Sequence, residues 1–287
     1  MLNRFNFYIN DFDRVKDYRA EYPEAGKIFN YPTSFWLGTR KNKKRRQAAN
    51  VHKRVVRLMK RVAPAEPVLV IYNLPDRDMG NHSKGGAADD KEYLEFIHAV
   101  ASGIGSRKPI LIFEPDAIPH STMMTQAQRK KRLSLMKKAI KILTEESSAL
   151  IYIDIGHSNW LSAEEAGTLF NQVYVEGVSG YSINVSNFRT NKESMRWGGQ
   201  VGDYALVSNF VVDTSRNGNG PYGNNWCNPP GRCLGTAPTL NTHNENCDAF
   251  LWIKVPGESD GTCNNGPRAG RFWPEYAREL VRNTSWL

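Results

Sequence analysis

The chain has 287 residues, 40% of them hydrophobic and 23% charged, which excludes an extended disordered polymer and leaves enough chain for one large core. No apolar run approaches the roughly 20 residues of a membrane-spanning helix, so an integral helical membrane protein is excluded as well. The net charge of +9 is concentrated in 40–61 and 128–143. Both stretches carry apolar residues at helical spacing and no interleaved aromatics, so they read as solvated faces of outer helices and not as a nucleic-acid surface.

In chain order, β-branched or aromatic runs at 5–9, 68–73, 110–114, 150–155, 181–185, 205–209 and 249–254 read as strands. Helical patterns fall between several of them, at 47–62, 89–104, 125–145 and 162–174, and Ser162 with Glu165 predicts a capping box at the start of the last. Near-continuous apolar strands alternating with helices predict an α/β fold with parallel strands, and seven such runs predict a parallel β/α barrel in one domain, 1–287.

In that architecture the loops leaving the C-terminal strand ends converge on one face. Asp78, Asp116, Asp154 and Asp260 each follow a predicted strand, and the first two intervals are both 38 residues. Clustered carboxylates raise one another's pKa, and a raised carboxyl can protonate a glycosidic oxygen near neutral pH. Metal-dependent hydrolysis through Mg²⁺ or Ca²⁺ is the competing use of the same residues. Trp36, Tyr72, Trp160 and Trp226 lie in loops or at strand ends, where several flat rings beside acids suit the C–H faces of sugars. No phosphate-cradling glycine motif follows an early strand. His157 is the histidine expected to reach the cleft; the other five read as surface residues. The four cysteines, at 227, 233, 247 and 263, lack the close pairs of a zinc site and read as two disulfides of an extracellular protein, with three pairings open.

The ordered motifs YNLPDRD, GNHSKGG, EPD, IDIGHSNWL, NVSNF, WCNPPGR and WIKVPGESDG resemble those of glycoside hydrolase family 6, a family of endoglucanases and cellobiohydrolases. The resemblance extends from about residue 5 to the C-terminus. It implies a distorted seven-stranded barrel that hydrolyses β-1,4-glucosidic bonds with inversion, by a single displacement with water and without metal or cofactor.

Residue by residue, the resemblance makes Asp116 the general acid and Asp78 the carboxylate that keeps it protonated and organises the water. It makes Asp260 the candidate base, beside a possible relay of waters, and Ser83 a holder of the nucleophilic water. Tyr72 becomes the side chain that presses on the distorted sugar ring. Trp36, Trp160 and Trp226 become sugar platforms, and Asp154, His157, Asn187, Lys254 and Glu258 become substrate-binding residues. It also implies a Cys227–Cys263 bridge, with Cys233–Cys247 as an additional pair. Met79 stands where many relatives have a bridging Cys, and Gly38 where some have Asp.

The segment between Asp260 and RFWPEY is only GTCNNGPRAG, too short for the long loop that roofs a cellobiohydrolase tunnel. An endoglucanase is therefore expected, with a cellobiohydrolase or a catalytically weak glucan-binding protein as alternatives. The expected partner is a β-1,4-glucan chain, with no nucleic acid or membrane, for a secreted monomer whose sequence shows no linker or carbohydrate-binding module. Sequons at Asn81, Asn184 and Asn283 read as accidental matches.

Overall fold

The structure, a computed structural model, describes residues 5–39, 47–80 and 82–287. Part of the first basic run, 40–46, and the sequon at Asn81 lie outside the described residues. Seven strands form one sheet: β1 (Phe35–Leu37), β2 (Val68–Ile71), β3 (Ile110–Phe113), β4 (Leu150–Asp154), β5 (Gly180–Ile183), β6 (Phe210–Asp213) and β7 (Cys247–Leu251). They lie in sequence order, β1 to β7, with every neighbouring pair parallel. The α-helices are α1 (Asp13–Glu21), α2 (Gln47–Val62), α3 (Asp90–Ile104), α4 (Ala117–Ser121), α5 (Gln126–Glu146), α6 (Ala163–Val173), α7 (Asn191–Gly202) and α8 (Pro274–Arg282).

Alternation along the strands divides the core into two layers. Leu69, Ile71, Leu111, Phe113, Ile151 and Ile153 share one cluster with the buried faces of α2, α3, α5 and α6. Their neighbours Val68, Val70, Ile110, Ile112 and Tyr152 join Val211, Ala249 and Leu251 in a separate cluster inside the curl of the sheet. Both faces of β2, β3 and β4 are therefore apolar, which is why these strands read as unbroken hydrophobic runs.

The sheet curls until its two edges meet. The Ser34 N–H donates to the Trp252 carbonyl at 3.3 Å and the Trp36 indole N–H to the Ile253 carbonyl at 3.0 Å. Among the described residues these contacts, with the Ser34 hydroxyl on the same Ile253 carbonyl, join β1 to the end of β7 in place of a ladder. The result is the expected distorted, seven-stranded barrel, open along one seam.

Two predicted strands are misplaced. Residues 5–9 form only a single bridge, Phe7 to Glu66, and the first strand is the three-residue β1. Residues 205–209 precede β6: Leu206 is 64% exposed, and the ladder begins at the more β-branched Phe-Val-Val that follows. The four predicted helices appear as α2, α3, α5 and α6, whereas α1, α7 and α8 were not anticipated. At α6 the Ser162 hydroxyl accepts the Glu165 N–H at 3.1 Å, the first half of the predicted box; the complete reciprocal box is at Thr125 and Gln128 of α5. The lysines of α5 are solvated as expected, but Arg132 is buried.

Cys227 and Cys263 are bridged. The expected Cys233–Cys247 pair is not formed, and both thiols are buried. Cys247 opens β7 opposite Phe210 at the N-terminal end of the sheet. Cys233 packs near Gly218, and the next residues but one, Gly235 and Thr214, are hydrogen-bonded beyond the C-terminal end of β6. A strand of this length separates the two by roughly 13 Å, about twice the Cα spacing a disulfide spans. Thiol titration without reductant should therefore find two reactive thiols per chain in denaturant and none in the folded protein; no thiols in denaturant would restore the second bridge.

Candidate active site

The loops leaving the strand ends carry unusual backbone. Asp76, Asp78 and Met79 after β2, and Glu114 and Asp116 after β3, all have positive φ, a region that L side chains enter at a cost. Buried acceptors hold these turns in place. The Glu114 carboxylate accepts the backbone N–H groups of Asn73, at 3.0 Å to either oxygen, and of Leu74 at 3.1 Å. Arg132 of α5 donates to the carbonyls of Pro75 at 3.2 Å and Asp76 at 3.4 Å. Burial raises the Glu114 carboxyl to about 7 despite the amides it accepts.

Asp154, the last residue of β4, does the same for the next loop. Its Oδ1 accepts the Asp116 N–H at 2.9 Å and the Gly156 N–H at 3.2 Å, and its Oδ2 bonds the Ser182 hydroxyl at 3.2 Å. The side chain is fully buried, so Asp154 lies beneath the cleft and not in it. This corrects the expectation of a substrate-binding residue, because a carboxylate sealed under the Asp116 peptide has no face left for a sugar. Burial and the neighbouring Asp116 charge push its pKa well above the carboxylate range.

Asp116 itself is half-buried at the start of α4. Burial, followed by the charges of Asp78 and Asp260, raises its carboxyl to about 7. Asp78 accepts the Ser83 N–H at 2.7 Å, and the Arg77 Nε–H donates to the Ser83 carbonyl at 2.9 Å while its guanidinium lies 4.6 Å from the centre of the Tyr72 ring. Asp260 is held on the other wall by Arg216 at 2.8 Å and Lys254 at 3.2 Å, and it accepts the Asn228 N–H at 3.0 Å. Burial alone would raise the Asp260 carboxyl, but the two cations outweigh it and hold the pKa below its ordinary value.

Asp78, Asp116 and Asp260 line one cleft of about 1320 Å³, together with Trp36, Tyr72, Ser83, His157, Trp160, Asn187, Trp226, Lys254 and Glu258. Trp36 and Tyr72 meet edge to face, with centroids 5.4 Å apart. Burial, with the Asp116 and Asp78 charges behind it, raises the Tyr72 hydroxyl, so the phenol stays protonated. Burial and then Arg189 lower His157 to about 4, leaving a neutral imidazole at pH 7. Burial raises Glu258 against the pull of Lys254 and Arg14. Trp226 is 47% exposed at the rim. The Asn184 amide is fully buried and donates to the Arg189 and Asp213 carbonyls, so that sequon cannot carry a glycan.

The family profile of glycosyl hydrolases family 6 matches residues 9–284. The chain belongs to that family. Endoglucanase A of Cellulomonas fimi is 39% identical over 289 residues, covering 98% of this chain and 62% of that protein. Endoglucanase 1 of Streptomyces sp. strain KSM-9 is 42% identical over 218 residues, 75% of this chain and 60% of the relative. The chain thus spans less than two thirds of the length of either relative. The solved endoglucanase Cel6 of Mycobacterium tuberculosis, in complex with a thio-linked methyl-cellobiosyl cellobioside, superposes with a TM-score of 0.91 at 39% identity, covering 98% of both chains.

Several residues in or beside this cleft carry no local signal in the sequence. His120, expected at the surface, is 8% exposed, lines the cleft and stands edge to face with Trp160, centroids 5.0 Å apart. His82 also lines the cleft. Arg216 is fully buried, donates to the Ser186 carbonyl at 2.6 Å and lies 4.5 Å from the centre of the Phe188 ring. Asp213, at the end of β6, accepts four backbone N–H groups, those of Ser215 (2.9 Å), Ile253 (3.3 Å), Ser186 (2.9 Å) and Lys254 (3.0 Å). Phe-Val-Val-Asp is an apolar run entering an acid, and β6 starts five residues later than the expected strand at 205–209. Asp213→Ala should cost on the order of 3 kcal/mol by leaving buried donors unpaired, measured as the shift in urea unfolding; a loss below about 1 kcal/mol would mean that water replaces the carboxylate.

Proposed function

We propose that the chain is a catalytic module that hydrolyses internal β-1,4-glucosidic bonds of cellulose or soluble β-glucans with inversion of configuration. The observation that carries this reading is the Asp116 carboxyl, raised to about 7 by burial and by two flanking anions in a cleft walled with indole rings. A carboxyl of that pKa is protonated for much of the time near neutrality and loses its proton readily to a departing glycosidic oxygen.

In the proposed step Asp116 protonates the leaving oxygen while water attacks the anomeric carbon from the opposite face. The C–O bond to the leaving sugar breaks as the bond to water forms, and the proton of the attacking water passes toward the Asp78–Ser83 turn. Asp78 and Asp260 keep the proton on Asp116 before the reaction, and their charge favours the positive character that develops on the sugar ring. Asp260 is a poor proton acceptor because Arg216 and Lys254 stabilise its ionised form, which favours Asp78 with a relay of water over a direct base at Asp260. Asp154 acts through Asp116, by fixing its backbone amide.

Tyr72 stands against Trp36, where a protonated phenol can press on and bond the reacting sugar. Trp36, Trp160 and Trp226 serve as platforms for successive sugar rings, while His157, Asn187, Lys254 and Glu258 offer polar groups to their hydroxyls. The displacement is complete with carboxyls and water and draws on no cofactor. Among the described residues no helix is long and apolar enough to cross a membrane. A polymeric glucan is too large to enter a cell, so the proposed place of action is outside it. Support for internal cutting comes from the relatives at 39–42% identity, which are named endoglucanases.

Asp116→Asn should lower hydrolysis of carboxymethyl cellulose by about 10²–10⁴-fold, while the wild type cuts viscosity steeply for few new reducing ends. Slow thinning with steady release of cellobiose would transfer the protein to the exo-acting reading. The wild-type rate should fall as pH rises through about 7, as Asp116 loses its proton. Asp78→Asn removes an anion that raises this pKa, so its alkaline limb should move to lower pH; an unmoved limb would show that the Asp78 charge does not hold the Asp116 proton.

A further inference from the structure

His82 belongs to the turn that carries Ser83, yet its ring rests on the opposite wall of the cleft mouth. Its centroid lies 6.1 Å from that of Trp226. One of its ring nitrogens and the sulfurs of Cys227 and Cys263 all lie within 4.8 Å of one another. The two sulfurs are bonded to each other, so they are not thiolates and the group is a packing contact in place of a metal site. The third partner is Gly261, next to Asp260. A Cβ added there would meet His82 Cγ at 2.4 Å, its Cβ at 2.7 Å and its Nδ1 at 2.7 Å, and these are its three nearest atoms. The missing side chain at 261 is thus a seat for the imidazole.

We propose that His82 is a positioning residue that spaces the Asp78–Ser83 turn from the Asp260 loop by resting on Gly261 and the Cys227–Cys263 bridge. The Ser83 backbone is held on its own side, its N–H on Asp78 at 2.7 Å and its carbonyl on Arg77 at 2.9 Å. Nothing in that pair of bonds sets the turn's distance from the far wall. The adjoining side chain does so, through contacts to three residues that are themselves tied down: Asn228, which follows Cys227, donates its side-chain N–H to the Gly261 carbonyl at 2.9 Å and the Cys263 carbonyl at 3.1 Å. His82 therefore governs where the attacking water is held relative to Asp116 and Asp260. The inference rests on the glucanase reading above for its catalytic consequence.

The test compares His82→Ala, Gly261→Ala, the double variant and His82→Phe on a soluble cello-oligosaccharide. Misplacing a reacting group by about 1 Å can cost up to about 10²-fold, and each single alanine variant should lower kcat about 10-fold with KM changed less than about twofold. Because both singles remove one shared contact, the double should be no worse than either. His82→Phe, which restores a ring without its nitrogens, should recover most of kcat. Hydrogen exchange of residues 82–86 should quicken in both alanine variants, a readout that needs no activity. Singles within twofold of wild-type kcat, a double variant near 100-fold down, or unchanged exchange would each overturn the proposal. An inactive wild type would sink the glucanase reading alone, and exchange would still decide the His82 contact.

Discussion

Seven parallel strands end on one face, and the backbone N–H groups buried where the loops leave them need acceptors from the protein. Buried carboxylates meet that demand. Glu114 follows β3, Asp154 and Asp213 end β4 and β6, and all three accept the amides of neighbouring loops. Burying an acid is costly unless it is hydrogen-bonded, and here each cost is offset by amides that would otherwise be unpaired. The left-handed residues between Asp76 and Asp116 are held in place by these braces.

The chemistry of the cleft follows from where the braces stop. Asp116 sits one peptide above the buried Asp154, and among the described residues burial and the nearby anions Asp78 and Asp260 push its proton affinity up. Asp260 is the more buried of the two but has Arg216 and Lys254 against it, so its proton affinity goes down. Two aspartates of one cleft are thus driven apart in pKa by their partners, which is how a pair of identical side chains comes to hold two roles. The rings complete the division: Trp36 and Tyr72 present flat apolar surface between the acids, and Arg77 ties the Tyr72 ring to the Ser83 turn.

The parallel barrel was legible because its strands are apolar on both faces, and four helices were legible from their periodicity. The three-residue β1 was not, since three residues carry no period and its place is set by β2 beside it. Acids at strand ends could be read from the sequence, but which of them face the cleft could not. Asp154 and Asp116 look alike as apolar runs followed by an acid, and only the burial of the first separates them. Arg216, His120 and His82 were missed for a related reason: their partners lie 44, 40 and about 180 residues away in the chain, beyond any local pattern.

By itself the sequence determined the fold class, the face on which the acids gather and the family, because hydrophobic periodicity and ordered motifs are local properties of the chain. Tertiary structure decided which acids are braces and which are reactive, and which cysteines are bridged. A pKa depends on burial and on charges within a few ångströms, and a disulfide on Cα atoms close enough to span, and neither quantity exists until distant segments are brought together.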